Sequence, residues 1–376
     1  MDNSNNSSIT IPCHWDKETI NKIVKQNKEI GGPQVVEVYG ALPDGGPVGH
    51  GRSSESVAQV SREEACDFRS YLQEQGLNFT YLLNAPFRLG DEKQRTELDE
   101  YLKWVIEDLH PDAVTISSPE LMGIVREISS KIPIHISTIA GVKNAVDLEK
   151  YLNFKPSRLV PHHDCGKDFV VLKELVEVAG KHHIEIELLS TESCLRRCPN
   201  REAHYKYLAK KTKDCPFHTT CNTKKIENPA EFLLAGGIIR PEDMNFYKKL
   251  GVRYFKISGR SKPATWLPEV VEAYQRKSYD GNLIRLLGID PKLGAENWIY
   301  IDNKALNGFI ENYPRTGDYQ DELHYCDEWM VKLFRDKKFS LNDGSEYIIE
   351  NSRLVLKKIG ENAGNIINSE LRRGLH

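Results

Sequence analysis

Eight short apolar runs that alternate with amphipathic stretches constrain the fold of this chain more than any other feature of its sequence. The stretches between the runs place apolar residues every three or four positions, as amphipathic helices do. Strands that alternate with helices are typical of parallel sheets, in which each helix crosses over between neighbouring strands. The runs are residues 35–42, 79–86, 113–118, 133–139, 158–163, 184–190, 232–239 and 254–259.

The number of runs favours a closed α/β barrel, because eight strands make the (β/α)8 or TIM-barrel fold. Such a barrel needs about 250 residues, so a chain of 376 residues has room for appended segments. We predict a polar lead-in at 1–32, a barrel at 33–276 and a C-terminal extension at 277–376. A doubly wound open sheet is the alternative, but no Gly-x-Gly-x-x-Gly follows the first run.

Charge and hydropathy exclude several classes of protein. The formal net charge of -3 gives no broad basic field, so strong nonspecific nucleic-acid binding is not expected. The first ten residues are polar and lack the pattern of a signal peptide, and no run approaches the roughly 18 apolar residues of a membrane-spanning helix. We therefore predict a cytoplasmic protein, and the sequence leaves open whether it acts alone, with a protein partner or as an oligomer.

Half of the eight cysteines lie in one polar, lysine-rich segment that follows the sixth predicted strand, with the spacing Cys-x3-Cys-x16-Cys-x5-Cys. Cys194, Cys198, Cys215 and Cys221 form two close pairs that can hold one metal centre, either zinc or an iron–sulfur cluster. Unrelated free thiols are the alternative, but the segment has no apolar run to bury them. Cys165 also follows a predicted strand and is a substitute ligand.

Other polar side chains follow predicted strands at the same end of the barrel, where the loops form the functional face. The acid–base candidates are His162, His163, Asp164, Glu187 and Glu192. The candidates for binding an anionic substrate are Arg197, Arg201, His204, Lys256 and Arg260. Simpler interpretations remain open, since such histidines are often only hydrogen-bonded, arginines can form a solvated helix face, and a strand lysine can reach outward.

Two sequence blocks, with the cysteine-rich insertion between them, resemble peptidase family U32. They are PIHISTIAGVKN at 133–144 and GGIIRPEDMNFYKKLGVRYFKISGR at 236–260. The second block is the more specific, because the family typically has a proline–acidic helix start, a Leu-x-x-Gly-Val step and a Lys-Ile-x-Gly-Arg strand end. The similarity covers roughly residues 35–275, and the variant CLRRCPNREAHY resembles a divergent branch of the family.

The resemblance implies a barrel that carries a [4Fe–4S] cluster. The family name records an early collagenase-like protease assignment, whereas its better-understood members resemble oxygen-independent hydroxylation factors. Cys198 and Cys215 match the family's sixteen-residue gap, and Cys194 takes a different offset from its usual partner. The family's last cysteine usually lies further along the chain, where Cys221 is the nearby replacement.

Three hypotheses for function result. The first is an iron–sulfur redox enzyme that hydroxylates or otherwise modifies an anionic small or tethered substrate. The second is a metal-dependent peptidase, although the chain has no His-Glu-x-x-His, and four sulfur ligands leave zinc no open position. The third is a non-catalytic accessory subunit with a structural metal site. S-adenosylmethionine radical chemistry is disfavoured, because its third cysteine would fall at Arg201.

Overall fold

Eight parallel strands close into a barrel in the computed structural model, which describes residues 7–51, 58–209 and 217–373. The strands pair in chain order, and the first strand also pairs with the eighth. They are β1 Ser8–Pro12, β2 Gln34–Gly40, β3 Asn78–Leu83, β4 Ala113–Ile116, β5 Ile134–Ile136, β6 Arg158–Leu159, β7 Glu185–Leu189 and β8 Tyr254–Lys256. The predicted TIM-barrel class is confirmed.

Helices connect the strands, and local sequence explains where several of them begin. Ser61 and Glu64 form a reciprocal capping box, and Ser118 caps a helix whose first residue is Pro119. The helices of the barrel and its insertion are α1 Lys17–Glu29, α2 Arg62–Glu74, α3 Glu92–Lys103, α4 Pro119–Ile128, α5 Ala145–Glu149, α6 Phe169–Lys181, α7 Arg201–Ala209, α8 Phe217–Glu227, α9 Ala230–Leu234, α10 Met244–Lys249 and α11 Leu267–Arg276. A π-helix, Trp104–Leu109, continues α3.

The N-terminal segment belongs to the barrel and is not the peripheral lead-in that we predicted for residues 1–32. Strand β1 hydrogen-bonds to both β2 and β8, and α1 packs against α11. Ile9 and Ile11 are fully buried on one face of β1, and Thr10 points to the other face. This alternation covers only five residues beside a polar run, which is why the apolar pattern did not reveal a strand.

The apolar run 232–239 was predicted to be the seventh strand, and this prediction is wrong. Its first residues end helix α9, and the rest is a loop that makes one isolated antiparallel bridge, between Thr191 and Ile238. The buried Lys167 ammonium donates hydrogen bonds to carbonyls at the end of α9, at 2.6 and 2.8 Å. A short apolar run fits a buried helix as well as a strand, and the glycine pair at 236–237 weakens a strand.

The cysteine-rich insertion consequently follows the seventh strand of the barrel, not the sixth. It runs from residue 190 to residue 253 and contains α7, α8, α9 and α10. The strand that precedes it, β7, is the one predicted at 184–190, so the insertion still leaves from the carboxyl end of a barrel strand. The prediction was wrong in strand number and right in position.

The C-terminal extension covers this insertion. Its helix α13 packs against α9, and its helix α14 packs against α8. The Tyr347 hydroxyl donates a 2.6 Å hydrogen bond to the carbonyl of Ile226 in α8. The elements of the extension are β9 Ile299–Ile301, β10 Phe339–Leu341, β11 Glu346–Glu350, β12 Arg353–Lys358, α12 Ala295–Trp298, α13 Tyr319–Arg335 and α14 Glu361–Arg373. No helix in the described part of the chain is long and apolar enough to cross a membrane.

Candidate functional site

Three of the four predicted metal ligands lie together at the carboxyl end of the barrel. The thiols of Cys198 and Cys221 share a hydrogen bond, and Cys194 is close enough to interact electrostatically with Cys221. Cys194 and Cys198 precede α7, whereas Cys221 lies in α8, so the neighbouring sulfur atoms come from two separate parts of the insertion. Cys215, the fourth predicted ligand, falls within 210–216 and lies outside the described residues.

Two buried cations accompany these sulfur atoms. Arg201 interacts electrostatically with Cys194 and Cys198, and the Lys225 ammonium, within reach of Cys194 and Cys221, donates a 3.1 Å hydrogen bond to Ser193. We call Cys194, Cys198 and Cys221 with these two cations the cysteine pocket.

The electrostatics of the pocket favour a thiolate. The hydrogen bond from Cys221 lowers the pKa of Cys198 to about 6, while the same bond, with burial, raises the pKa of Cys221. Cys194 donates to a carboxylate oxygen of Glu192 across 3.7 Å. Within residues 7–51, 58–209 and 217–373, no three histidine, cysteine or carboxylate side chains already stand close enough to hold a metal ion. The sulfur donors and nearby cations nevertheless have the chemistry that a thiolate-bound metal centre requires.

Cys165, the proposed substitute ligand, lies in a different setting. It belongs to the short 3-10 helix His163–Gly166, and its side chain is buried. The thiol lies 3.8 Å from the carbonyl of Val142, and burial raises its pKa. These features are those of a cysteine that acts as a small core residue.

The histidine pair and its aspartate lie where the insertion contacts the loop after β6. The Nδ1 atom of His162 accepts a 3.3 Å hydrogen bond from the backbone of Asp164, and burial lowers the pKa of His162 to about 4. The Nδ1 atom of His163 is 3.2 Å from the hydroxyl of Thr138 and 3.2 Å from that of Tyr205 in α7. His163 therefore connects the barrel to the insertion.

The predicted anion-binding side chains of the insertion already have protein partners. A guanidinium nitrogen of Arg201 is 3.3 Å from a carboxylate oxygen of Asp164 and 2.5 Å from the carbonyl of Leu195. The guanidinium of Arg197 lies 4.6 Å from the ring centroid of Tyr319, and His204 stacks on Tyr205. These side chains thus make contacts within the protein that hold the segment around the cysteines.

Glu187 and Lys256 come together inside the barrel. The Lys256 ammonium is 3.7 Å from Oε2 of Glu187, and Oε1 of the same carboxylate accepts a hydrogen bond from the hydroxyl of Thr10. Arg158 contacts Glu37 at 2.9 Å and Glu187 at 3.7 Å. We call Glu37, Arg158, Glu187 and Lys256 the barrel charge cluster. The charges of its two acids and two bases balance. These four side chains occupy the barrel interior, which branched apolar residues usually fill.

Of the predicted residues, Arg260 lies at the barrel mouth and donates a 2.7 Å hydrogen bond to the carbonyl of His50 in the loop after β2. Other polar residues at this mouth were not predicted from the sequence. His14 follows β1 and contacts the carbonyl of Gly259, while Asn84 follows β3 and donates to Ser137. Among the described residues, the Nδ1 of His14 and the side-chain oxygen of Asn84 are buried without a hydrogen-bond partner. Recognising β1 as a strand would have placed His14 at the mouth.

Comparisons with known proteins place relatives beside this chain. The model of peptidase family U32 matches residues 45–283. Uncharacterized protease MJ1657 from Methanocaldococcus jannaschii is 27% identical over 328 residues, which cover 85% of this chain and 94% of that protein. The solved structure of the U32 peptidase Mk0906 is 12% identical, with a TM-score of 0.48, and the match covers 69% of this chain and 96% of that chain. The family match includes the whole cysteine-rich insertion.

Proposed function

Because the chain belongs to peptidase family U32, we propose that it binds an iron–sulfur cluster in the cysteine pocket and acts as a redox enzyme. The proposed reaction is an oxygen-independent hydroxylation, or a related modification, of an anionic small or carrier-tethered substrate. The observation that carries the proposal is that Cys198 and Cys221 share a hydrogen bond, with Cys194 and two buried cations within electrostatic reach, in the insertion that follows β7. Cys215 is the proposed fourth ligand.

The chemistry of the pocket supports sulfur ligation of iron. The hydrogen bond from Cys221 lowers the pKa of Cys198 and so favours its thiolate, and thiolates are the usual ligands of iron–sulfur clusters. Metal binding also requires the other thiols to release their protons. Glu192 already accepts the thiol hydrogen of Cys194, so it is placed to receive that proton. Arg201 and Lys225 compensate the negative charge that the thiolates accumulate.

A bound cluster would supply single electrons at the barrel mouth. The chain's own residues would shape the site around it: Asp164 and Arg201 fix the segment that carries Cys194 and Cys198. Arg260, in the loop after β8, is the cation that we assign to the anionic part of the substrate.

Iron analysis tests the proposal. We expect protein reconstituted anaerobically with iron and sulfide to be brown and to hold about four irons per chain. Cys198→Ala and Cys221→Ala should each lose most of this iron, because a missing thiolate leaves the cluster one ligand short. The matched control is Cys66→Ala in α2, a half-buried cysteine outside the pocket that should retain the iron.

Two outcomes would contradict the proposal. A colourless protein with one zinc per chain would indicate a structural zinc site. Casein hydrolysis that persists in the Cys198→Ala variant would instead support the peptidase activity suggested by the names of the family and of the Methanocaldococcus protein.

A further inference from the structure

The segment between Cys194 and Cys198 is held from outside the barrel. It contains Leu195, Arg196 and Arg197, and the two arginines contact residues of the C-terminal extension. The family match ends at residue 283, so these contacts come from a part of the chain beyond it.

Arg196 makes the closer contacts of the two arginines. Its side chain is 1% exposed, and its guanidinium lies 2.6 Å from a carboxylate oxygen of Glu322 in α13, whose side chain is also 1% exposed. The same guanidinium is 3.2 Å from the hydroxyl of Tyr313 and 3.6 Å from a carboxylate oxygen of Asp168. A buried guanidinium with these partners has little freedom to move, because each alternative position leaves a buried charge unpaired.

Arg197 shows that this segment requires external support. Its φ angle is +52°, in the left-handed region that residues other than glycine rarely adopt. Surrounding contacts must hold such a conformation in place. The backbone N–H of Arg197 donates a 3.1 Å hydrogen bond to Asp164, and its guanidinium lies over the ring of Tyr319, the first residue of α13.

We infer that Glu322 is a positioning residue that fixes the spacing of Cys194 and Cys198 by pairing with Arg196. The role of these cysteines as cluster ligands rests on the proposed function, whereas the holding of the segment does not. Arg196 lies midway between the two cysteines, so a shift of its backbone would move both sulfur atoms. In this way the extension completes a site whose ligands all lie in the insertion.

Two variants of Glu322 test this inference. Glu322→Gln keeps an acceptor for Arg196 and removes the charge, while Glu322→Ala removes both. The matched control is Glu328→Gln, on the exposed side of α13, where the glutamate pairs with His324. Circular dichroism and thermal melting identify any variant that does not fold, and the conservative Gln variant keeps the test informative if the Ala variant is lost.

The first measurement is hydrogen exchange of the amides of residues 194–198 in protein without iron. We expect exchange there to be roughly tenfold faster in Glu322→Ala, less accelerated in Glu322→Gln and unchanged in Glu328→Gln. The second measurement is the electron paramagnetic resonance spectrum of reduced, iron-loaded protein, in which the g-values should shift in the Glu322 variants alone.

The possible outcomes separate the inference from the proposed function. Exchange rates and spectra of the Glu322 variants that equal those of the control would overturn the inference. Wild-type protein that takes up no iron, with faster exchange in the Glu322 variants, would refute the cluster and leave Glu322 as the residue that holds the segment.

Discussion

His162 shows how burial sets the charge of a single residue. Its ring is buried, and the Nδ1 atom accepts a backbone hydrogen bond, so the neutral form is favoured and the pKa falls from 6.5 to about 4. The unfolded chain then binds more protons than the folded chain between these two values. The contribution of His162 to stability is therefore complete above pH 6.5 and is lost as the pH falls towards 4.

We predict that His162→Asn removes this pH dependence, because asparagine can accept the same hydrogen bond but does not titrate. The difference in unfolding free energy between variant and wild type should change by about 2–3 kcal/mol between pH 7 and pH 4, in favour of the variant at low pH. Urea unfolding at four pH values measures it. A difference that stays constant from pH 7 to pH 4 would show that folding does not shift the pKa of His162.

The barrel charge cluster makes a second prediction at the residue scale. Lys256→Met leaves the buried Glu187 with its hydrogen bond from Thr10 and with Arg158, 3.7 Å away, as its one remaining cation in the cluster, so we expect a loss of about 3–4 kcal/mol in unfolding free energy. Adding Glu187→Gln should recover part of this loss, because the uncompensated charge is then gone.

The control for this prediction is Lys338→Met. Lys338 pairs with Asp302 at 2.7 Å, but its side chain is 47% exposed, so the loss should stay below about 1 kcal/mol. Urea midpoints of the three variants give the comparison, and equal losses at Lys256 and Lys338 would mean that the cluster contributes no more than a surface ion pair.

At the scale of elements, the loop after α9 depends on close backbone packing. A Cβ atom on Gly236 would collide with the backbone oxygen of His163, so the loop and the 3-10 helix after β6 can approach only because residue 236 is glycine. This approach positions both His163 and the segment next to the cysteine pocket.

We predict that Gly236→Ala destabilises the fold by about 2–4 kcal/mol, because one of the two backbones must move. Gly180→Ala is the matched control, since Gly180 lies in helix α6 and an added Cβ meets no atom within 4 Å. That variant should gain about 0.5–1 kcal/mol. Thermal melting compares the two, and a neutral Gly236→Ala would refute the packing argument.

Sequence patterns predicted those elements whose environment is uniform. The helices now called α3, α4 and α6 each bury one apolar stripe, and the periodicity of this stripe is visible in the sequence. The secondary structure of the run 232–239 was predicted wrongly because the run is buried on all sides, so its apolar residues show neither the helical nor the strand periodicity. Strand β1 was not predicted because an alternation of apolar and polar residues over five positions is too short to indicate a strand.

At the scale of the whole molecule, the sequence predicted the barrel and the neighbourhood of three cysteines. It did not predict the partners of the charged residues, since Arg196 and Glu322 lie in different segments and no local pattern connects them. The same holds for Arg158 and Glu37, which meet across the barrel interior. Charges that looked available for substrate in the sequence are largely engaged by other parts of the chain.

The pairing of β1 with β8 also has a consequence for synthesis on the ribosome. Thr10 and Lys256 are neighbours in the closed barrel, yet they are far apart along the chain. At about 5–20 residues per second, roughly 10–50 seconds pass between the emergence of the two strands. During this interval the outer edge of β1 is unpaired, so the nascent chain exposes a strand edge to other chains. Aggregation during expression should therefore be most acute before β8 has emerged.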